Sequence, residues 1–464
     1  MSRAKCVDRL LVCLVLAGII LSFTSQSYAQ SKGEAKGAQP IALTAEERQR
    51  NVESFEVVWR TVRDKHWDPK LGGLDWQAAH DDLRPQLDKA ASADECRKVM
   101  REMLSRLGQS HFAIIPETAY REIKKGSSAS EKAENAAATS DRGSPGFAVR
   151  IVDEQVLVVK VEEGKAAGKI GVKMGWRVVK IDDQDLTSTL TKVRELNKDS
   201  HYLDYLLNAA VAERLRGKVG EKKTFVFETG GDSETSVTIP LAEPAGIPAK
   251  LGNLPVFYVS VQSGKVAGNI GYFSLGAFFE PTYVMKELGD AVKANLNANG
   301  FVLDLRGNPG GIGAMAMGVG SWFVNKRDQK LGTLHARTGS LNFTLNPRAE
   351  TFDGPLAILV DGLSASTTEI FAGGLQDLGR AKVFGARSAG AALPAQVIRL
   401  PNGDGFMYAI ANYISTGGKA LEGKGVIPDV EVPLRRAALL KGKDAVLDAA
   451  VEWIQSQKKP GSSR

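Results

Sequence analysis

Ser366 is the residue of this chain best placed to act as a nucleophile. It follows an apolar segment, residues 357–360, and a tight turn, and the pattern predicts a helix that begins directly after it. A helix N-terminus carries partial positive charge and unpaired N–H groups, which stabilise an oxyanion that develops beside the serine. Ser366-Thr-Thr-Glu369 also fits a capping box, in which the serine has only a structural role. Serine chemistry therefore depends on what the rest of the chain supplies.

The elements around this serine predict an α/β core with two additions. Strands alternate with helices beyond Gly271, whereas helical periodicity marks the N-terminal third of the chain. That helical pattern ends at Gly108, directly before Ser110 and His111, and a histidine at the end of an element is well placed for function. The predicted boundaries are a leader at 1–29, a disordered spacer at 30–43, a helical segment at 44–122 that contributes Ser110 and His111, a flexible linker at 123–144, a small domain at 145–245, an α/β core at 254–436, and a C-terminal helix and tail at 437–464.

The first 29 residues have the pattern of a secretory signal peptide. A basic start precedes an apolar run, residues 10–23, and small residues near Ala29 offer a cleavage site. The run is short for a membrane span, so we predict an exported protein, periplasmic or secreted, with no stable membrane span after cleavage. Cys13 suggests a lipoprotein as the alternative, but Val12 stands where a small residue is expected. Cleavage would leave Cys96 alone, without a disulfide partner.

Composition argues against nucleic acid as the main partner. The chain has 60 Lys and Arg against 53 Asp and Glu, a formal charge of +7 that falls to +5 when three basic and one acidic leader residues are removed. These charges are scattered rather than massed on one face or tail. The sequence contains no evident metal cluster or phosphate loop, so it predicts no metal and no cofactor. Residues 311–316 satisfy a loose G-x-G-x-x-A dinucleotide motif, but Pro309 interrupts the run and no acidic residue follows at the right interval.

Four segments resemble the C-terminal processing (tail-specific) peptidases and their tricorn-like relatives. The resemblance covers nearly all of the chain after the leader, and it implies a crotonase/ClpP-like α/β peptidase core with an inserted PDZ-like domain. It also implies that Ser366 is the nucleophile of a serine peptidase. The four segments are Leu303-Asp-Leu-Arg-Gly-Asn-Pro-Gly-Gly311, Ser364-Ala-Ser-Thr-Thr-Glu-Ile-Phe-Ala-Gly-Gly-Leu-Gln-Asp377, Leu400-Pro-Asn-Gly403 and Gly425-Val-Ile-Pro-Asp-Val430.

One departure from the family pattern changes the base that the resemblance implies. Members with a Ser-Lys dyad carry Phe-Gly-Lys-Gly after the serine, and here Ala391 stands at the lysine position. The tricorn-like branch instead has an upstream Ser-His pair and a glutamate before the Gly-Val-x-Pro-Asp turn. Ser110, His111 and Glu422 match those positions. In such a relay the imidazole accepts the serine proton and the carboxylate holds the imidazole, with Ser110 as a bridge between His111 and Glu422.

The glycine-rich turn before residue 312 is the predicted oxyanion site. It follows a buried strand and opens a helix, so its amides point outward. Gly310, Gly311 and Thr367 are expected to donate their backbone N–H groups to the carbonyl oxygen of a substrate.

Residues 145–245 resemble a PDZ domain. The loop formed by Gly146, Phe147, Ala148 and Val149 matches the Gly-hydrophobic-x-hydrophobic pattern that holds a peptide C-terminus by strand addition. Ala148 replaces the usual second glycine, and Trp176 stands where such domains usually carry Asp. A degenerate domain that only positions its neighbours is therefore the alternative.

The sequence thus predicts an exported serine endopeptidase that cleaves unfolded or tail-presented polypeptides through a Ser-His-Glu triad. A catalytically inactive peptide- or ligand-binding protein on the same fold is the second hypothesis, from a different functional class.

Overall fold

The computed structural model describes residues 43–117, 142–196, 202–231, 233–249 and 257–457. The predicted leader, most of the spacer and most of the linker lie outside these ranges. The described residues form an N-terminal helical segment, a β-rich domain (residues 142–242, as far as described) and an α/β core. No helix within the described ranges is long and apolar enough to cross a membrane.

The N-terminal segment consists of three helices that start at side-chain caps. Thr44, Asp75 and Ser92 each accept a hydrogen bond from the backbone N–H three residues later, which satisfies one of the free donors of a helix start. The helices bury a common apolar face that also includes Phe406 and Tyr408 of the core. The elements are α1 (Ala45–Lys65), α2 (Trp76–Lys89), α3 (Ala93–Ser105) and the short strand β1 (Ala113–Ile115).

The β-rich domain is a twisted antiparallel sheet with helices packed against it. Its strand order is β3-β4-β5-β8-β9, so β3 is an edge strand. At the C-terminal end of the predicted linker, residues 142–143 pair with 217–218 and Ser144 bridges to Ala242. The elements are β2 (Arg142–Gly143), β3 (Phe147–Val152), β4 (Gln155–Val161), α4 (Ala166–Ile170), β5 (Arg177–Ile181), β6 (Gln184–Asp185), α5 (Leu186–Leu196), α6 (Leu203–Arg214), β7 (Gly217–Lys218), β8 (Lys222–Glu228) and β9 (Glu234–Pro240).

The α/β core contains the predicted alternation of strands and helices. Its main sheet has the order β12-β13-β14-β17-β18-β22, parallel from β13 onward, and α11 covers one face. The elements are β10 (Ile247–Ala249), β11 (Phe257–Val259), β12 (Val261–Val266), β13 (Ile270–Leu275), α7 (Pro281–Lys293), β14 (Gly300–Asp304), α8 (Gly313–Gly320), β15 (Gln329–Ala336), β16 (Gly339–Leu345), β17 (Leu356–Val360), α9 (Thr367–Asp377), β18 (Lys382–Gly385), β19 (Ala395–Arg399), β20 (Gly405–Ala409), β21 (Ala411–Ser415), β22 (Val430–Glu431), α10 (Arg436–Leu439) and α11 (Ala445–Ser456).

A buried ion pair fastens the N-terminal segment to the core. Asp404 is fully buried and accepts from Arg97 Nε at 2.9 Å and Nη2 at 3.0 Å, and from the Glu117 amide at 2.7 Å. Strand β1 pairs with β20 beside it. The segment that carries Ser110 and His111 is therefore attached to the core at both ends.

Replacing Asp404 with Ala is expected to lower the free energy of unfolding by about 3–5 kcal/mol, because it leaves the Arg97 charge without its buried partner. Urea unfolding followed by circular dichroism measures the change. Arg50→Met is the control, since Arg50 pairs with Glu46 at the surface and such pairs contribute about 1 kcal/mol or less. Equal losses in the two variants would contradict the assignment.

Candidate active site

Ser366 is the N-cap of α9, as the sequence predicts, and its backbone is strained. Its φ of 57° and ψ of −119° lie in a region that non-glycine residues adopt only when their surroundings hold them there. The amide donates to the Ala391 carbonyl at 3.0 Å and to the Glu369 carboxylate at 2.9 Å. Glu369 thus caps back onto the serine as a capping box requires. The serine itself is only 2% exposed.

His111 and Ser110 form one hydrogen-bonded unit with Glu422, 312 residues away in the sequence. Ser110 Oγ contacts His111 Nδ1 and donates to Glu422 Oε2 at 2.9 Å, while the Ser110 amide donates to Glu422 Oε1 at 2.6 Å. Because the hydroxyl proton goes to the carboxylate, Oγ accepts from Nδ1–H. The imidazole is then the tautomer whose Nε2 is free to accept a proton.

The surroundings of His111 keep the ring neutral. Burial lowers the pKa of its imidazole to about 4, and the negative charge of Glu422 offsets part of that effect. Nε2 is buried and has no hydrogen-bond partner among the described residues. A neutral ring with an unoccupied Nε2 is the form that a general base needs.

The segment 388–392 links Ser366 to Glu422 through hydrogen bonds of its backbone. It is held by Glu369, which the sequence reasoning treated only as a cap. Glu369 is fully buried, and burial raises the pKa of its carboxyl to about 7, although the converging donors act in the opposite direction. At the C-terminal end of the segment, the Ala392 amide donates a hydrogen bond to Glu422 Oε2 at 3.0 Å. The donors from the segment to Glu369 are Ser388 Oγ at 2.6 Å, the Gly390 amide at 2.7 Å and the Ala391 amide at 3.0 Å.

The position of the missing lysine is apolar. The Ala391 side chain is buried in a cluster that includes residues of α6. The two lysines just before the Gly425–Val430 segment do not replace the missing one. Lys419 Nζ donates to Asp377 at 2.7 Å, and Lys424 is exposed. The buried members of the cluster, here called the alanine cluster, are Tyr205, Ala209, Ala365, Ala389 and Ala391.

The predicted oxyanion donors need one correction. The Gly310 amide donates to Asn308 Oδ1 at 2.9 Å, so it is already occupied. The amides of Gly311 and Thr367 have no hydrogen-bond partner among the described residues. Thr367 Oγ1 donates to the Gly311 carbonyl at 2.8 Å and holds these two residues together. Gly310 itself packs closely against Ser366, since a Cβ at position 310 would lie 2.8 Å from Ser366 Cβ.

Ser366 and His111 are not hydrogen-bonded to each other. Within the described residues, Ser366 Oγ makes no bond to His111 Nε2. The geometry therefore unites Ser110, His111 and Glu422 and leaves Ser366 as a neighbour across segment 388–392. Catalytic hydrogen bonds are often long in a free enzyme and tighten when substrate binds.

An ion pair from the β-rich domain reaches the loops of the site. Arg150 Nε donates to Asp361 Oδ2 at 2.7 Å, and Asp361 Oδ1 accepts from the amides of Gly307 at 2.8 Å and Leu363 at 3.0 Å. Asp361 thus organises both the glycine-rich turn and the approach to Ser366. No local pattern in the sequence marks this contact, because it joins residues 211 positions apart.

The loop that resembles a PDZ carboxylate loop opens the edge strand β3. Gly146 has a φ of 81° and accepts from the Glu162 amide through its carbonyl oxygen at 2.9 Å. Phe147 and Val149 point into the domain's apolar core, and Ala148 is half-buried. Two of the four loop residues thus contribute their side chains to the domain core.

Side chains occupy part of the free edge of β3. The Val149 carbonyl accepts from Arg150 Nη1 at 2.9 Å. The Ile151 amide donates to Asn208 Oδ1 of α6 at 3.0 Å. A peptide strand added along this edge would compete with both contacts.

Comparisons with known proteins identify two regions of the chain. Residues 269–432 match the model of Peptidase family S41, and residues 47–105 match the Tricorn protease C1 domain. The chain carries a serine peptidase domain. The S41 match includes Ser366, Thr367 and Glu422, whereas Ser110 and His111 lie outside both matched regions.

Named relatives of this peptidase domain are processing proteases. Carboxyl-terminal-processing peptidase 3 of Arabidopsis thaliana, a chloroplast protein, is 26% identical over 80% of this chain and 67% of its own length. The carboxy-terminal-processing protease of Bartonella bacilliformis is 27% identical over 66% of this chain and 64% of its own. The chain thus spans about two thirds of these relatives. The solved photosystem II D1 C-terminal processing protease shares the fold, with a TM-score of 0.53 and 19% identity over 87% of this chain and 99% of that one.

The rise of kcat/KM with pH on the acidic side of the profile, here called the acid limb, is expected at a lower pH than the reference pKa of a free imidazole, about 6.5. If neutral His111 is the base, kcat/KM should rise with pH through an apparent pKa near 4, the value to which burial lowers His111. Glu422→Gln should move the limb lower still, because it removes the charge that raises this pKa. Initial rates on a short fluorogenic peptide across acidic and neutral pH measure the limb.

Glu452→Gln, at an exposed position on α11, is the matched control and should leave the limb in place. Circular dichroism must accompany the rates, because the depressed pKa of His111 also costs stability as pH falls from about 6.5 toward the folded-state pKa. A limb near 6.5 or above, in a protein that stays folded, would contradict a buried His111 base.

Proposed function

We propose that this protein is an exported serine endopeptidase in which Ser366 is the nucleophile, His111 the general base, and Ser110 and Glu422 the groups that orient the base. The observation that carries the proposal is the Ser110–His111–Glu422 unit with its unoccupied Nε2. The shared fold with a processing protease supports a core of the crotonase/ClpP-like type. Export rests on the N-terminal leader pattern.

The proposed reaction moves one proton between Ser366 and the leaving amine. His111 Nε2 takes the hydroxyl proton while Ser366 Oγ attacks the peptide carbonyl carbon. Nδ1–H remains hydrogen-bonded to Ser110, whose own proton points at Glu422, so the carboxylate stabilises the imidazolium through the hydroxyl. Nε2–H then protonates the departing nitrogen, and a water molecule hydrolyses the acyl-enzyme by the same route.

The developing oxyanion is assigned to two backbone donors. The amides of Gly311 and Thr367 are free of other partners among the described residues, and Thr367 lies at the N-terminus of α9, where the helix dipole favours negative charge. Preorganised donors of this kind contribute about 3–4 kcal/mol each to transition-state stabilisation.

Burial of the site favours a flexible substrate. Ser366 is 2% exposed and His111 is fully buried, so a folded protein surface cannot reach the hydroxyl, whereas an extended chain can enter. The relatives are named for carboxyl-terminal processing. We therefore propose unfolded or tail-presented polypeptides as substrates.

A catalytically inactive binding protein is the second candidate. The missing hydrogen bond between Ser366 and His111 is the observation that favours it. Reaction with a fluorophosphonate separates the two candidates, because a binding protein whose serine is not activated is not labelled at Ser366.

Ser366→Ala is expected to lower kcat on a reduced, alkylated polypeptide by at least about 10⁴-fold, as for other nucleophilic serines. His111→Ala should cost at least about 10²-fold, the low end for a positioned base. Glu422→Gln should cost less than His111→Ala, because it disturbs orientation and charge without removing the proton acceptor. Steady-state kinetics on purified, folded variants measure all three.

Lys419→Met and Lys424→Met are the matched controls and should keep full activity. Full activity in Ser366→Ala would refute the peptidase proposal. Loss of activity in the lysine variants, with an active His111→Ala enzyme, would replace the histidine base by a lysine.

We also propose that the β-rich domain is a PDZ-like domain that takes polypeptide tails at β3. The edge strand and the positive φ of Gly146 support a site for a terminal carboxylate, whereas the ammonium of the neighbouring Lys165 is already engaged, since its Nζ donates to the Glu243 carbonyl at 2.9 Å. Asn208 and Arg150 occupy part of the edge and weaken such binding in the present arrangement.

Asn208→Ala should tighten the binding of a fluorescent tail peptide by roughly 3- to 10-fold, because the peptide no longer competes with a hydrogen bond worth about 1 kcal/mol. Fluorescence anisotropy measures the affinity. The same peptide with an amidated C-terminus is the control and should bind weakly to both proteins. Equal affinity of the parent and the variant would instead favour a domain that only positions its neighbours.

A further inference from the structure

His66 is a buried histidine that the proposed reaction does not use. It lies at the C-cap of α1 and is fully buried. Its Nε2 is 2.9 Å from Gln109 Oε1, and its Nδ1 faces the Asp68 backbone, 3.0 Å from the amide nitrogen and 2.9 Å from the carbonyl oxygen. A neutral ring that donates from Nε2–H to Gln109 and accepts from the Asp68 amide satisfies both nitrogens. Burial lowers the pKa of His66, which agrees with the neutral form.

The same ring contacts both flanks of the Ser110–His111 pair. Gln109, on the N-terminal side, accepts the hydrogen bond from Nε2. Phe112, on the C-terminal side, stacks on the His66 ring with centroids 5.7 Å apart and an angle of 14° between the planes. One side chain on α1 thus fixes the two residues that bracket the candidate base.

His111 needs such support because its backbone is strained. Its φ is 66°, and a non-glycine residue in this region costs about 1–3 kcal/mol, so it persists only where the surroundings over-determine it. If the flanks were released, the peptide could relax toward negative φ and turn the imidazole. Two other contacts also hold Ser110 and His111: the hydrogen bond from the Ser110 amide to Glu422, and the pairing of β1 with β20. Neither of them involves Gln109 or Phe112.

We propose that His66 is a positioning residue for the reaction, which sets the orientation of His111 by hydrogen-bonding Gln109 and stacking on Phe112. The inference rests on the proposed function, since it concerns the same base. His66 contacts no reacting atom in this assignment and acts only through the segment that carries His111.

The test uses two variants of the full chain. His66→Phe keeps an aromatic ring against Phe112 and removes the hydrogen bond to Gln109, whereas Gln109→Leu removes the bond from its other end. Each should lower kcat by about 10- to 100-fold, since small misplacements of a catalytic group cost up to about 10²-fold. KM should stay within about twofold. The rate of fluorophosphonate labelling at Ser366 should fall in parallel, because that reaction needs the same base.

Two further readouts separate positioning from stability. The double variant should be no slower than the slower single variant, because both changes break one hydrogen bond. The acid limb of kcat/KM should move to higher pH, toward the imidazole reference of about 6.5, as a loosened His111 gains contact with water.

His80→Phe is the matched control. His80 belongs to the same helical segment, packs on Phe55 and Trp59, and binds Glu56 and Asp81, but it makes no contact with residues 109–112. Its replacement should change stability without changing kcat or the limb.

The inference fails if His66→Phe and Gln109→Leu keep the parent's kcat, labelling rate and acid limb. It also fails if kcat falls only in proportion to the folded fraction, as for a purely structural residue. Should His66→Phe not fold, Gln109→Leu decides alone, because Gln109 is only half-buried. Failure of the proposed function can be told apart from failure of this inference, because it would appear as peptidase activity that persists in Ser366→Ala.

Discussion

The carboxylate of Glu422 is the group on which the geometry of the site depends. It accepts from the Ser110 amide, the Ser110 hydroxyl and the Ala392 amide, so it joins the N-terminal segment, the loop after β18 and the turn before β22. An ionised carboxylate has only acceptors, and each donor must therefore face it. This requirement fixes the direction of the Ser110 hydroxyl proton and, through it, the tautomer of His111. One acceptor group thereby determines which imidazole nitrogen of His111 is left without a hydrogen-bond partner among the described residues.

The proposed nucleophile and the proposed base are both held in conformations that they would not adopt alone. Ser366 and His111 have positive φ, each at a cost of about 1–3 kcal/mol. The stabilising contacts come from elsewhere: Glu369 binds the Ser366 amide and three donors of segment 388–392, and the β-rich domain contributes Arg150 to Asp361 beneath the glycine-rich turn. The fold around the site is therefore more than a support for side chains, because it maintains two strained backbones in fixed relation.

Local patterns predicted the elements better than the contacts. The apolar segment at residues 357–360 corresponds to β17, and the helix expected directly after Ser366 corresponds to α9. The α/β core followed from the same periodicities. The occupied Gly310 amide was missed, because it depends on the rotamer of Asn308 two residues earlier. The contacts of His66 and Arg150 join residues 43 and 211 positions apart, and no periodicity records such a pair. The depth of burial that lowers the pKa of His111 likewise follows only from the assembled fold.

The absence of a lysine at position 391 is consistent with how the β-rich domain packs. The Ala391 methyl group lies in the alanine cluster, where Tyr205 and Ala209 of α6 meet residues beside Ser366. A lysine side chain there would extend into this apolar contact, and an ammonium group buried without a partner is strongly disfavoured unless its pKa falls by several units. The backbone of Ala391 keeps its own role, since its carbonyl accepts from Ser366 and its amide donates to Glu369. The small side chain thus permits α6 to pack beside Ser366, and the base that a lysine at position 391 would provide has to be supplied by another part of the chain, for which His111 is our proposal.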